Sequence, residues 1–205
     1  RQTLAVIAIM LNKGYDLPVS EIINEAFKNL KHVKKSAQAK EAVLKFFEQR
    51  LEPLFSAQGY SFDEIQSILS LAAEIPLKEI KKRLEALKGF KNDSGYNDFI
   101  TAIKRVKNII PETRLPALKL RLLTEEPEKK LHERLNATKA EVDSLLKEYR
   151  YADALRTLSG LTDTINNFFD KVLVMDKQDD IKFNRLALLR NTWAAASSIA
   201  DFSKL

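Results

Sequence analysis

The chain has 205 residues, 45% hydrophobic and 30% charged, with a net charge of +6 and a pI of about 9.3. That balance excludes a disordered polymer, and the absence of cysteine excludes disulfides, thiolate zinc sites and thiol catalysis. Five glycines and six prolines are too few for a many-stranded fold, and no apolar run approaches the roughly 20 residues of a bilayer span.

The chain opens on Arg1 rather than Met, as expected of a piece of a longer protein, and no small-residue cleavage site follows the apolar run Leu4 to Leu11. Residues 1–13 read as a helix stopped by Gly14. Asp16 and Pro18 are the expected cap and first-turn residues of the next helix, which carries Ile22, Ile23, Ala26, Phe27 and Leu30. A basic linker at 31–36 leads to a long helix with Val43, Leu44, Phe47, Leu51, Leu54 and Phe55 at helical spacing, ending before Gly59. Ser61 and Glu64 form a capping box for a helix with Ile65, Ile68, Leu69 and Ala72. Pro76 marks the start of another, with Ile80, Leu84 and Leu87 up to Gly89. A turn at Asn92–Gly95 precedes a helix over Tyr96–Ile110, which Pro111 stops.

Residues 111–116 read as a loop, and Leu115–Leu123 as a short element. Thr124 to Pro127 opens a helix that carries Leu131, Leu135, Val142, Leu145 and Leu146 to about Tyr149. From Tyr151 the apolar residues Ala154, Leu155, Leu158, Leu161, Ile165, Phe168, Phe169 and Val172 trace the core stripe of a small bundle, with Gly160 as a break. An acidic turn at 176–180 precedes a final helix over about 179–199. The expected fold class is all-α, in two subdomains: 1–125, and a helical bundle over 126–205.

No phosphate-cradling glycine motif, nucleophile elbow or HExxH occurs. His32 and His132 stand a domain apart and are expected at the surface. Asp176, Asp179 and Asp180 fit a helix start better than a cation site, since the glycine and terminal Glu of a calcium loop are missing. Two features remain. On the helix 100–110, Ile100, Ile103, Val106 and Ile110 share one face. Lys104, Arg105, Lys107 and Asn108 gather elsewhere, followed by Arg114, Lys119 and Arg121, a patch suited to phosphate contacts. The excess of positive charge lies between Lys28 and Arg50 and between Lys78 and Arg121, while residues 150–205 are close to neutral. The second feature is polar and aromatic material in the bundle: Arg150, Tyr151, Arg156, Asn166, Asn167, Asn184, Arg185, Arg190, Asn191 and Trp193. Arg and Asn form paired hydrogen bonds to base edges. Phe168, Phe169 and Trp193 fit core packing better than base stacking. Asn184 and Arg185, at the start of an apolar helix, are the strongest base-reading candidates, with Arg150, Tyr151, Arg156 and Arg190 beside them.

The tetrad Asp153-Ala154-Leu155-Arg156 resembles the motif of the DALR anticodon-binding domain, a helical bundle of some aminoacyl-tRNA synthetases. FFDKVLVM (168–175), NRLALL (184–189) and ADFSKL (200–205) resemble the C-terminal end of the β subunit of bacterial glycyl-tRNA synthetase. AIKRVKNII (102–110), FFEQRLEPLFSAQGYSFDEI (46–65) and EEPEKKL (125–131) resemble the region before it, and the opening RQTLAVIAIMLNKGYDL the end of an HD-type helical domain. The resemblance implies a non-catalytic, cytoplasmic tRNA-binding part of a ligase. Its partners would be glycine tRNA, read at the anticodon, and an α subunit that holds ATP, Mg and glycine. The rival expectation is a helical module that docks a partner subunit without touching RNA. Neither expects a membrane.

Overall fold

The computed structural model describes residues 2–30 and 36–205; His32 and the basic stretch around it lie outside the described residues. The described chain is all-α, and none of its helices is long and apolar enough to cross a membrane. It forms two compact units, Arg1–Lys88 with Lys204–Leu205, and Gly89–Ser203.

The first unit holds α1 (Gln2–Lys13), α2 (Val19–Asn29), α3 (Ala37–Ser56), α4 (Phe62–Leu69) and nearly all of α5 (Leu77–Phe90). Gly14 ends α1 at φ +63°, a left-handed conformation that glycine adopts at little cost. Ser61 caps α4 as expected: its hydroxyl accepts from the Glu64 N–H, and Glu64 returns a carboxylate to the Ser61 N–H at 2.8 Å. The start of α2 differs from the expectation. Pro18 itself occupies the cap position, without a side-chain cap bond, and Asp16 turns away to pair with Lys78 at 3.1 Å. The unit's core is aliphatic and aromatic: Ile7, Leu51, Phe55, Ile65, Ile68, Leu77, Ile80 and Leu84 are all essentially excluded from solvent. Each such side chain contributes about 1.5–3 kcal/mol of burial.

The second unit holds α6 (Tyr96–Ile109), a single 3-10 turn (Leu120–Leu122), α7 (Glu126–Lys147), α8 (Tyr151–Ser159), α9 (Thr162–Lys171) and α10 (Asp179–Ser197). The division falls between Lys88 and Gly89, upstream of the expected break at 125/126. The reason is packing: α6 lies against α9 and α10, and so belongs to the bundle that follows it. Phe90 stacks edge-on against Tyr96 and Phe99, and Phe99 against Phe202, tying the ends of the unit together. α10 is the centre. From Asn184 to Leu189 every residue is buried, so it has no solvent stripe over that length. α7 ends at Lys147, and Tyr149 makes the turn to α8 at φ +59°, a position glycine usually fills. Gly160 separates α8 from α9, as its position in the sequence predicts.

Candidate nucleic-acid interface

α6 follows from its sequence pattern. Phe99, Ala102, Ile103 and Val106 are buried, and the turn after Gly95 leaves Asp98 in the first turn, where a carboxylate complements the helix dipole. The remaining circumference carries Lys104, Arg105, Lys107 and Asn108. The guanidinium of Arg105 lies 4.2 Å from the ring centre of Phe169 on α9. On the other flank the ammonium of Lys107 lies 5.6 Å from the ring of Trp193 on α10. Core packing holds for Phe168, which is fully buried. Phe169 and Trp193 are only half-buried, and each carries a cation on its outer face.

The loop after α6 bears Arg114, Lys119 and Arg121, all exposed. Two polar residues of α10 hold its backbone. The Asn184 side chain accepts from the Lys119 N–H at 2.7 Å and donates to the Lys119 carbonyl at 3.1 Å. Arg190 donates to the carbonyls of Leu115 and Pro116 at 2.8 and 3.1 Å.

Arg185 faces elsewhere. It is 2% exposed and donates to Glu125, to Glu128, to Asp176 at 2.9 Å and to the Leu173 carbonyl at 2.9 Å. Glu128, wholly buried, also accepts from the Glu125 N–H at 2.8 Å, so one carboxylate both starts α7 and meets the cation. Burial opposes the charge on Arg185, but the hydrogen bonds and charge of Glu128, with Glu125 and Asp176, outweigh it and raise its pKa. The Asp176 carboxyl sits below the ordinary aspartate range. The Gln178 N–H is the main cause and Arg185 adds to it, while partial burial works the other way.

The base-reading expectations for α10 therefore need correction. Asn184 and Arg185 are each 2% exposed and spend their hydrogen-bonding groups on backbone and carboxylates of the fold. Arg190 is occupied by the loop. Tyr151 is 2% exposed and packs in the core. Arg150 and Arg156 are exposed, but both are paired with Asp153 at 2.8 Å, and Arg156 also approaches Asp93 at 3.8 Å. The tetrad 153–156 is thus a structural start to α8: Asp153 joins two arginines, and Ala154 and Leu155 are fully buried. Of the acidic turn, Asp176 pairs with Arg185 and Asp179 with Lys182, and the described residues contain no acidic or His cluster suited to a metal ion. His132, expected at the surface, is partly buried on α7 with its Nε2 3.0 Å from the Asn136 amide.

The expectations named Asn167 but missed the depression it lines, about 410 Å³ between α7 and α9, with Glu126, Lys130, Asp163, Thr164 and Lys171 around it. The i, i+4 spacing of Asp163, Asn167 and Lys171, which puts three polar groups along one face of α9, was the signal for it.

A family model for the DALR anticodon binding domain matches residues 60–198. The chain belongs to the DALR anticodon-binding domain family. A second model, for the glycyl-tRNA synthetase beta subunit, matches residues 1–70. The DALR chain is 38% identical over its whole length to the glycine–tRNA ligase beta subunit of Thermodesulfovibrio yellowstonii and 33% identical to that of Syntrophus aciditrophicus. It is 28% identical to that of Clostridioides difficile. In each case it covers 30% of the relative's length, the C-terminal part. The DALR match runs across the division at Lys88, beginning within the first unit at residue 60, while the beta-subunit match ends at residue 70 inside that unit.

Proposed function

We propose that this chain is the tRNA-binding C-terminal part of a glycine–tRNA ligase β subunit, and that it engages the anticodon arm of glycine tRNA in the cytoplasm. The observation that carries the reading is the set of cations on α6 and the loop after it, in the second unit. α6 presents Lys104 and Asn108 between ring-backed Arg105 and Lys107, and the loop that follows adds Arg114, Lys119 and Arg121. Cations of this kind neutralise phosphates and position RNA without reading it. A guanidinium laid on a ring offers its free face to an unstacked base. The depression between α7 and α9 supports base reading, since Asp163 accepts hydrogen bonds while Asn167, Lys130 and Lys171 donate them. A base edge that carries both donors and acceptors needs both kinds of group facing it. Glycine activation, with ATP and Mg, belongs to the α subunit on this reading, and α is the protein partner.

Titration of labelled glycine tRNA against the protein tests this. Lys104→Ala with Arg105→Ala should weaken every tRNA alike and reduce the steepness of the salt dependence by about one to two released ions. Asn167→Ala should instead lose discrimination between glycine tRNA and an anticodon-altered tRNA, by about 1–3 kcal/mol, judged from paired base contacts. Binding to the α subunit with no salt-sensitive binding to tRNA would favour the docking role instead.

A further inference from the structure

Residues 111–119 form no helix, so their backbone groups lack the partners that regular structure supplies. The chain meets that need from an unexpected direction. Asn184 pairs with both the N–H and the carbonyl of Lys119, as a neighbouring strand would. Arg190 spans the two successive carbonyls of Leu115 and Pro116. Six residues of helix separate Asn184 from Arg190, about 9 Å at helical rise. The loop covers a comparable distance between Leu115 and Lys119, about 13 Å if fully extended. The loop therefore runs antiparallel to α10, fastened at both ends, with the side chains of Arg114, Lys119 and Arg121 left exposed.

We propose that Asn184 and Arg190 are positioning residues that hold this loop as a preformed cationic edge for an RNA sugar–phosphate backbone. The proposal rests on the RNA-binding reading above and adds how that surface is made. Loop cations that were free to wander would lose ordering entropy on binding, whereas cations on a fastened backbone have already lost it. Neither anchor needs to touch RNA. Asn184 is buried, and Arg190 directs both terminal nitrogens at carbonyls of its own chain.

The test uses the intact protein, a fluorescent anticodon stem–loop RNA, and amide hydrogen exchange. Asn184→Leu and Arg190→Met should each speed exchange across 115–123 while α7 and α10 stay protected. Each should also weaken RNA binding about ten-fold. Neither should weaken it further in a background of Arg114→Ala, Lys119→Ala and Arg121→Ala, because the anchors act only through those cations. Arg190→Lys keeps the charge but loses the forked hold, and should behave like Arg190→Met. If Arg190→Lys binds as the wild type does, charge rather than position is what Arg190 supplies and the proposal fails. It fails too if exchange in the loop is unchanged, or if the anchor and loop losses simply add. If the triple loop variant binds RNA normally, the assignment of the loop to RNA binding is what has failed, and the exchange data still report whether α10 holds it.

Discussion

Arg185 brings a permanent charge into the interior of the second unit, and Glu125, Glu128 and Asp176 meet it there. Removing only the cation leaves Glu128, wholly buried, without its partner. Arg185→Met should therefore cost about 3–5 kcal/mol in a denaturant titration, and adding Glu128→Leu should recover part of that. Asp176 adds a pH dependence. Its native pKa lies below the ordinary value of about 3.9, so it stabilises the fold above that value. The contribution disappears as pH falls through the lower native value. Thermal melts across the acid range should show the wild type losing stability there more steeply than Asp176→Asn. These residues also show where a sequence stops being readable. Asn184 and Arg185 stand out in NRLALL because a polar pair precedes an apolar run. The letters cannot say whether such a pair faces a ligand or satisfies its own chain, since deciding partners such as Lys119 and Glu128 lie 65 and 57 residues away. Burial of the surrounding helix decides it.

At the scale of the helices, local chemistry was largely legible. The capping box at Ser61, the stop at Gly14, the break at Gly160 and the prolines at 76, 111 and 127 all mark real element boundaries. Ser61→Ala should lower stability by about 1 kcal/mol, measured as a shift in denaturation midpoint with an unchanged slope. Less legible were boundaries set by something other than the local residues. Asp16 has the composition of a cap, yet Lys78 of another helix draws it away. Tyr149 carries no mark of its left-handed turn. Phe169 and Trp193 resemble core residues in the pattern, because half-buried rings follow the same helical spacing as buried ones. Only the neighbouring α6, with Arg105 and Lys107, shows that their outer faces carry cations.

At the scale of the molecule, every residue assigned to the RNA surface lies in the second unit. A shortened protein beginning at Leu77, which keeps α5 whole, should retain salt-sensitive binding to the anticodon stem–loop, checked by the same titration as the longer protein. Loss of binding with helicity intact would mean that the first unit supplies contacts of its own. The all-α class was evident from spacing alone, but the division between units was not. The proline-bearing loop at 111–116 has the composition of a linker, and only its attachment to α10 reveals that it belongs inside a unit.

The central place of α10 has a consequence for how the protein is made. Glu125 and Glu128 leave the ribosome 60 and 57 residues ahead of the arginine they enclose. At about 5–20 residues per second, that is a delay on the order of three to twelve seconds. During it α7, α8 and α9 can meet one another, but the space α10 will occupy stays wet, and its apolar walls are open to other nascent chains. Slower translation of the last helix would lengthen that exposure and should raise the share of newly made protein bound by chaperones.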